Sequence, residues 1–183
     1  MVFYTTGSMW AKNTHLFKND DGFTIVELLI AIVVIAILAS ITVVAFNGAQ
    51  DQAKFSKYQS EMKSIVKALA MHKEVNGNYP VSINRPNCDF DWCGWDQATG
   101  DDFIVGLSPQ FINRIPQMDP SLPKADTFLY RSNSSRSEYQ LIRYRSDALG
   151  KLPQAERDNP LSLDGTYDDI AWGYRSNPNT AWW

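Results

Sequence analysis

A carboxylate inside an apolar run is the first place to look for chemistry in this chain. Glu27 stands near the start of Phe23–Phe46, a stretch whose other polar residues are Thr24, Ser40 and Thr42. A charged side chain held at membrane depth costs about 2.5–3.5 kcal/mol. Glu27 therefore either stays wet at the headgroup level or meets a cation. A cut between Gly22 and Phe23 would supply one, the new α-amine of Phe23, with an ordinary pKa of about 7.7–8.0. Phe23 and Glu27 lie one helical turn apart. Their amine and carboxylate could pair within one chain, or between two chains staggered along a fibre.

Other reactive groups are few. Cys88 and Cys93 stand in a Trp-rich segment and could form a disulfide or hold a metal. With His15 in the first 22 residues and His72 the other histidine, Cys and His cannot make up a four-ligand zinc set. The disulfide is the favoured reading, and so small a loop would stabilise by about 2 kcal/mol. His72 sits on a charged helical stretch, which argues against Ser-His or Cys-His hydrolysis. No Gly-rich phosphate loop is present, and the chain is not expected to be an enzyme. Arg131, Arg136, Arg143 and Arg145 cluster and raise DNA as a ligand. A net charge of −3 favours paired surface arginines instead, leaving DNA a minor candidate.

The elements that must position these groups follow from periodicity. Leu28–Phe46 lacks Pro and Gly and spans about 28 Å as a helix, close to the hydrocarbon thickness of a bilayer. Ser40 and Thr42 are tolerable there because each hydroxyl can bond back to a carbonyl one turn earlier. Beyond Phe46, residues Phe55, Tyr58, Met62, Ile65, Val66 and Leu69 recur at spacings of three and four, marking one apolar face. Gly48 could flex the junction, and Asn76-Gly77 supplies a stop. One helix over Thr24–Asn76 is predicted.

Residues 77–126 read as loop-rich, with a short helix near Asp101–Leu107. Thr127–Ser132 and Glu138–Tyr144 alternate as a β-hairpin around the polar turn Asn133–Ser137. Tyr139, Leu141 and Arg143 share one face, and Gln140, Ile142 and Tyr144 the other. A third strand is predicted near Thr166–Gly173. The apolar helix face needs cover, and one face of this small antiparallel sheet provides it. The fold class is α+β. Trp172, Tyr174, Trp182 and Trp183 read as packing residues, the last two also as a sticky patch.

Gly22-Phe23-Thr24-Ile25-Val26-Glu27-Leu28-Leu29-Ile30 resembles the processing and assembly motif of type IV pilins and type II secretion pseudopilins. Gly77-Asn78-Tyr79-Pro80, a Leu-x-Pro-x-Phe-Ile segment at 107–112, and Pro116-x-x-Asp119-Pro120 follow in the order of a pseudopilin head. The chain departs from many Gram-negative relatives in having Val44 for a proline and Ala36 for a glycine.

The resemblance implies cleavage by a prepilin peptidase after Gly22, N-methylation of Phe23, and docking through Phe23 and Glu27. It implies a leader at 1–22, a transmembrane and fibre-core helix at 23–46, and a pilin-fold head at 47–183. Expected partners are the peptidase, further copies of the chain, other pilins, an inner-membrane assembly platform and the lipid bilayer. The chain would sit in the inner membrane with its head outside, then enter a surface pilus or pseudopilus. Some pseudopilins carry calcium in a C-terminal loop. Calcium takes six to eight oxygens, and Asp164, Asp168 and Asp169 offer carboxylates, although a solvated acidic loop is favoured and no cofactor is expected. Met9 is an alternative start. A secretory signal cut near Val43-Val44-Ala45 is a further alternative that Glu27 disfavours. The rival function is a membrane-anchored extracytoplasmic binding module that does not polymerise.

Overall fold

The computed structural model describes residues 22–83, 85, 88–163, 167, 169–175 and 176–179. The chain divides into two compact units at Thr42–Val43. Helix α1 (Ile25–Asn76) contributes residues to both.

In the first unit α1 presents apolar side chains all round, with no protein against them. Ile25 is 80% exposed, and Leu28, Ile35 and Ile41 are more than half exposed. The stretch holds its helix by local means. Ser40 Oγ donates to the Ala36 carbonyl at 2.8 Å, and Thr42 Oγ1 donates to the Leu38 carbonyl at 2.6 Å. Both hydroxyls are thereby hidden from an apolar surround, as the sequence requires. This helix is long and apolar enough to cross a membrane.

The second unit is built on the remainder of α1. Phe55, Tyr58, Met62, Ile65, Ala68 and Leu69 are buried, while Val66 lies at the margin of the core. The helix stops where the sequence places its stop. Gly77 takes φ +75°, which costs glycine little, and its N–H donates to the Lys73 carbonyl at 2.8 Å.

Against this face lies a five-stranded antiparallel sheet in the order β1 (Cys88–Asp89), β2 (Trp92–Cys93), β3 (Asp126–Ser132), β4 (Tyr139–Arg145) and β5 (Ala171–Arg175). The β3–β4 register pairs Ser132 with Tyr139 and Asp126 with Arg145, so the polar turn falls where the alternation puts it. Tyr130, Tyr139, Leu141 and Trp172 pack in the helix-side core, where the Trp172 ring meets Phe55 edge-on at 5.2 Å. Leu129, Ile142, Leu163 and Ala171 form a second, smaller cluster.

Residues 77–126 are loop-rich and also hold Cys88–Asp89 and Trp92–Cys93 as a ribbon on the sheet edge. Three expectations need correction. The helix at Asp101–Leu107 is a 3-10 turn at Gly100–Asp102 followed by turns, since Asp101 Oδ1 accepts the Gly106 N–H at 2.9 Å and folds the chain back. The third strand runs Ala171–Arg175, later than expected, and residues 164–166 and 168 lie outside the described residues. Arg143 is not a surface arginine: it is 2% exposed inside an ion cluster. Trp182 and Trp183 lie outside the described residues.

Candidate functional site

The N-terminus of α1 is closed by its own side chains. Thr24 N–H and Thr24 Oγ1 donate to Glu27 Oε2 at 2.9 and 2.8 Å, and Glu27 N–H donates to Thr24 Oγ1 at 3.2 Å. This is a capping box. A Thr and the Glu three residues later satisfy each other's backbone donors, which the first helical turn otherwise leaves open. Glu27 is exposed, and both bonds it accepts from Thr24 fall on Oε2. Gly22 and Phe23 precede the helix in non-helical backbone, and Phe23 is 85% exposed. Thr24 is the participant that motif reading misses, although Thr-x-x-Glu before an apolar run is itself a helix-start signal.

The head holds a second polar assembly. Arg143, on the helix-facing side of β4, lies 5.2 Å from the Tyr58 ring centre. Its Nη2 pairs with Asp126 Oδ1, its Nε lies 3.3 Å from Glu156 Oε2, and its Nη1 donates to the Tyr144 carbonyl at 2.7 Å. Glu156, in the single turn α2 (Gln154–Arg157), also accepts the Trp172 indole N–H at 2.9 Å. Burial raises the Glu156 carboxyl above its ordinary range, and the nearby Arg143 guanidinium opposes that rise. This cluster joins α1, the sheet and α2. It presents no nucleophile or open site.

Cys88 and Cys93 are joined as a disulfide across the β1–β2 hairpin. His72 sits at the end of α1 with Nδ1 2.8 Å from the Asn78 carbonyl oxygen, a packing role. The calcium candidates fare differently. Asp169 accepts from Lys151 Nζ at 2.5 Å on one carboxylate oxygen, and Arg157 Nη1 donates to the other at 3.3 Å. The Lys151 hydrogen bond, more than any other contact, holds this carboxyl below its usual range. Both Asp169 oxygens thus face cations. Asp164 and Asp168 lie outside the described residues. Among the described residues no group of three or more metal-ligating side chains gathers.

The comparisons with known proteins bear on both units. Residues 17–43 match the family described as the prokaryotic N-terminal methylation motif. A Type II secretion system core protein G from Pectobacterium carotovorum subsp. carotovorum is 37% identical over 154 residues, covering 83% of each chain. Proteins of the same description from Pseudomonas aeruginosa and Klebsiella michiganensis are 35% and 38% identical over 63 and 65 residues. Those matches take in 34% and 36% of this chain, and about half the length of each relative (44% and 46%). No solved structure matches the chain. A capped apolar helix carrying the methylation motif, an α+β head, and similarity across most of one curated relative lead to a single assignment: this chain belongs to the type II secretion pseudopilin family.

Proposed function

We propose that this chain is a structural subunit of a secretion pseudopilus. It is cut after Gly22 by a prepilin peptidase, N-methylated on Phe23, and polymerised through residues 23–46 with residues 47–183 as head. One observation carries the reading. The apolar first half of α1 is exposed on all sides, yet it opens with a carboxylate held in a defined cap. A bare apolar helix needs lipid or other helices around it. The cap occupies Oε2 of Glu27, and Oε1 is the oxygen assigned to the amine of Phe23 in a neighbouring subunit. Before assembly the helix anchors the chain in the inner membrane, with its head outside the cytoplasm. Lipid covers the helix there, and other subunits cover it in the filament. The chain catalyses nothing in this scheme; it is the peptidase's substrate and the assembly platform's cargo. Calcium at Asp164, Asp168 and Asp169 is a separate proposal, checked by melting in calcium against chelator.

Intact-mass analysis of the full chain from its native membrane tests the processing step. The expected mass starts at Phe23 and carries one added methyl group. A mass that retains residues 1–22 would refute it. Glu27→Ala tests assembly: the variant should be membrane-bound and cut, yet absent from sheared filaments. A Glu27→Ala chain that polymerises normally would refute the role of Glu27 in assembly, and a parent chain that never enters filaments would leave an anchored binding module as the better reading.

A further inference from the structure

The β1–β2 ribbon is strained, and its ties to the sheet are few. Phe90 and Asp91 join its strands with φ values of 48° and 64°, the conformation of a type I′ turn, which normally takes Asn or Gly. Asp tolerates this region, whereas a bulky aromatic there is strained. The Phe90 side chain is 84% exposed, so no burial offsets that strain. Among the described residues β1 meets β2 at Cys88–Cys93 and Asp89–Trp92, and β2 meets β3 at Cys93–Tyr130 alone. The Trp95 indole N–H adds a hydrogen bond to the Asp89 carbonyl at 3.3 Å, and the Arg131 guanidinium lies 5.8 Å from the Trp92 ring centre.

The chain is pinned immediately after the ribbon. Gly94, at φ 112°, lies so close to β3 that a Cβ would come within 2.2 Å of the Phe128 carbonyl oxygen. The Gly94 carbonyl accepts the Thr127 hydroxyl at 2.9 Å. Gln97 then donates from Nε2 to the Leu122 and Asp119 carbonyls at 3.2 and 3.3 Å. Residues 88–93 therefore hang from a fixed pivot, and the Cys88–Cys93 bond closes them into a hairpin. Cys93 is fully buried and Cys88 half-buried, so a thiolate from solvent meets the Cys88 sulfur first. Attack there breaks the S–S bond and leaves a thiolate on Cys93. A buried apolar site does not accommodate that charge, and water reaches it only when the ribbon lifts.

We infer that Cys88–Cys93 is a redox-sensitive latch on the sheet edge. Oxidised, it holds the strained ribbon over β3 at Tyr130. A dithiol opens it in two exchanges: one sulfur of the reductant displaces Cys93, and the second then displaces Cys88. Two cysteine thiols form, and the reductant ends as a disulfide. The ribbon turns away about Gly94, while α1 and strands β3–β5 stay folded. A bare strand edge is a template for pairing with a second chain. The closed latch therefore keeps copies of this chain from joining through their sheets.

Hydrogen exchange of the full chain in detergent, followed by mass spectrometry with and without dithiothreitol, tests the latch. After reduction, peptides over 88–93 should exchange about tenfold faster or more, as a locally opened segment does. Peptides over 55–69 and 139–145 should keep their protection. Unchanged protection at 88–93 would overturn the inference. So would a loss shared by 55–69 and 139–145, which would make the bond a staple of the whole head. Phe90→Asn removes the strain at an exposed position. That variant should melt no lower than the parent, and its ribbon should lose several-fold less protection on reduction. A loss equal to the parent's would overturn the strained latch.

Discussion

Two halves of one helix meet different fates. Met62, Ile65 and Leu69 have no exposed surface, whereas Ile25 and Val44, no more polar, are 80% and 73% exposed. Helical propensity does not separate them, since neither half contains proline and both are hydrogen-bonded throughout. The difference lies in pattern. In the second half the apolar residues form one stripe, which a sheet face can cover. In the first half they surround the axis, and no single face of a small domain can cover that. The second half completes its core within its own chain. The first half carries a surface that must be satisfied by something else.

Substitutions can break this contrast. The largest effect is expected at the charge against which the second half packs. Arg143→Met removes the buried guanidinium that Asp126 and Glu156 share, leaving Asp126 only Arg145 at 3.8 Å, and should destabilise the head by about 3–5 kcal/mol, read from urea unfolding of the full chain in detergent. Leu69→Ala empties a fully buried site and should cost about 2–5 kcal/mol in the same assay. Ile37→Ala, in the exposed half, should leave head unfolding unchanged, and a loss there would collapse the distinction. Ile35→Lys attacks the first half on its own terms. A lysine at the helix centre costs about 2.5–3.5 kcal/mol of insertion, so the chain should shift from the membrane pellet to carbonate extract while its head melts normally.

Smaller effects sharpen the picture of the head. Reducing Cys88–Cys93 should lower stability by about 2 kcal/mol and leave membrane association intact. The pH dependence of Glu156 has a definite sign. Its folded pKa lies above the ordinary value of 4.5, so its contribution to stability is present below that value and is lost as pH rises through the raised one. Glu156→Gln should flatten that slope in melting curves taken across the acid range. An unchanged slope would assign it to other carboxylates.

Much of this architecture was legible in the sequence because it is periodic. The stripe from Phe55 to Leu69, the stop at Gly77 and the alternation of Tyr139–Tyr144 each repeat often enough to fix a face. The β1–β2 ribbon was not legible. Its strands are two residues long, and its turn holds Phe and Asp where turn chemistry asks for Asn and Gly. Arg143 was placed on the correct face, yet alternation cannot reveal that Asp126 and Glu156 arrive from distant segments to bury its charge. At the helix start, Glu27 stood out as a charge in apolar surroundings, and Thr24 did not, because its role is satisfied locally. Asp169 looked like a free acid because Lys151 and Arg157 approach it only once the chain is folded.

The capping box has a consequence for the cleavage proposed above. A peptidase must grip the backbone of its substrate in extended form, and backbone groups already spent on helical hydrogen bonds are not available to it. Thr24 and Glu27 fix the point at which α1 begins, and from the Thr24 carbonyl, which accepts the Leu28 N–H at 3.2 Å, the backbone carbonyls enter the helical ladder. The Gly22–Phe23 bond lies just outside this boundary. On the proposed processing, the cap would act as a ruler, measuring the new N-terminus from the helix outward. Moving the cap by one residue should move the limit of accessible backbone with it.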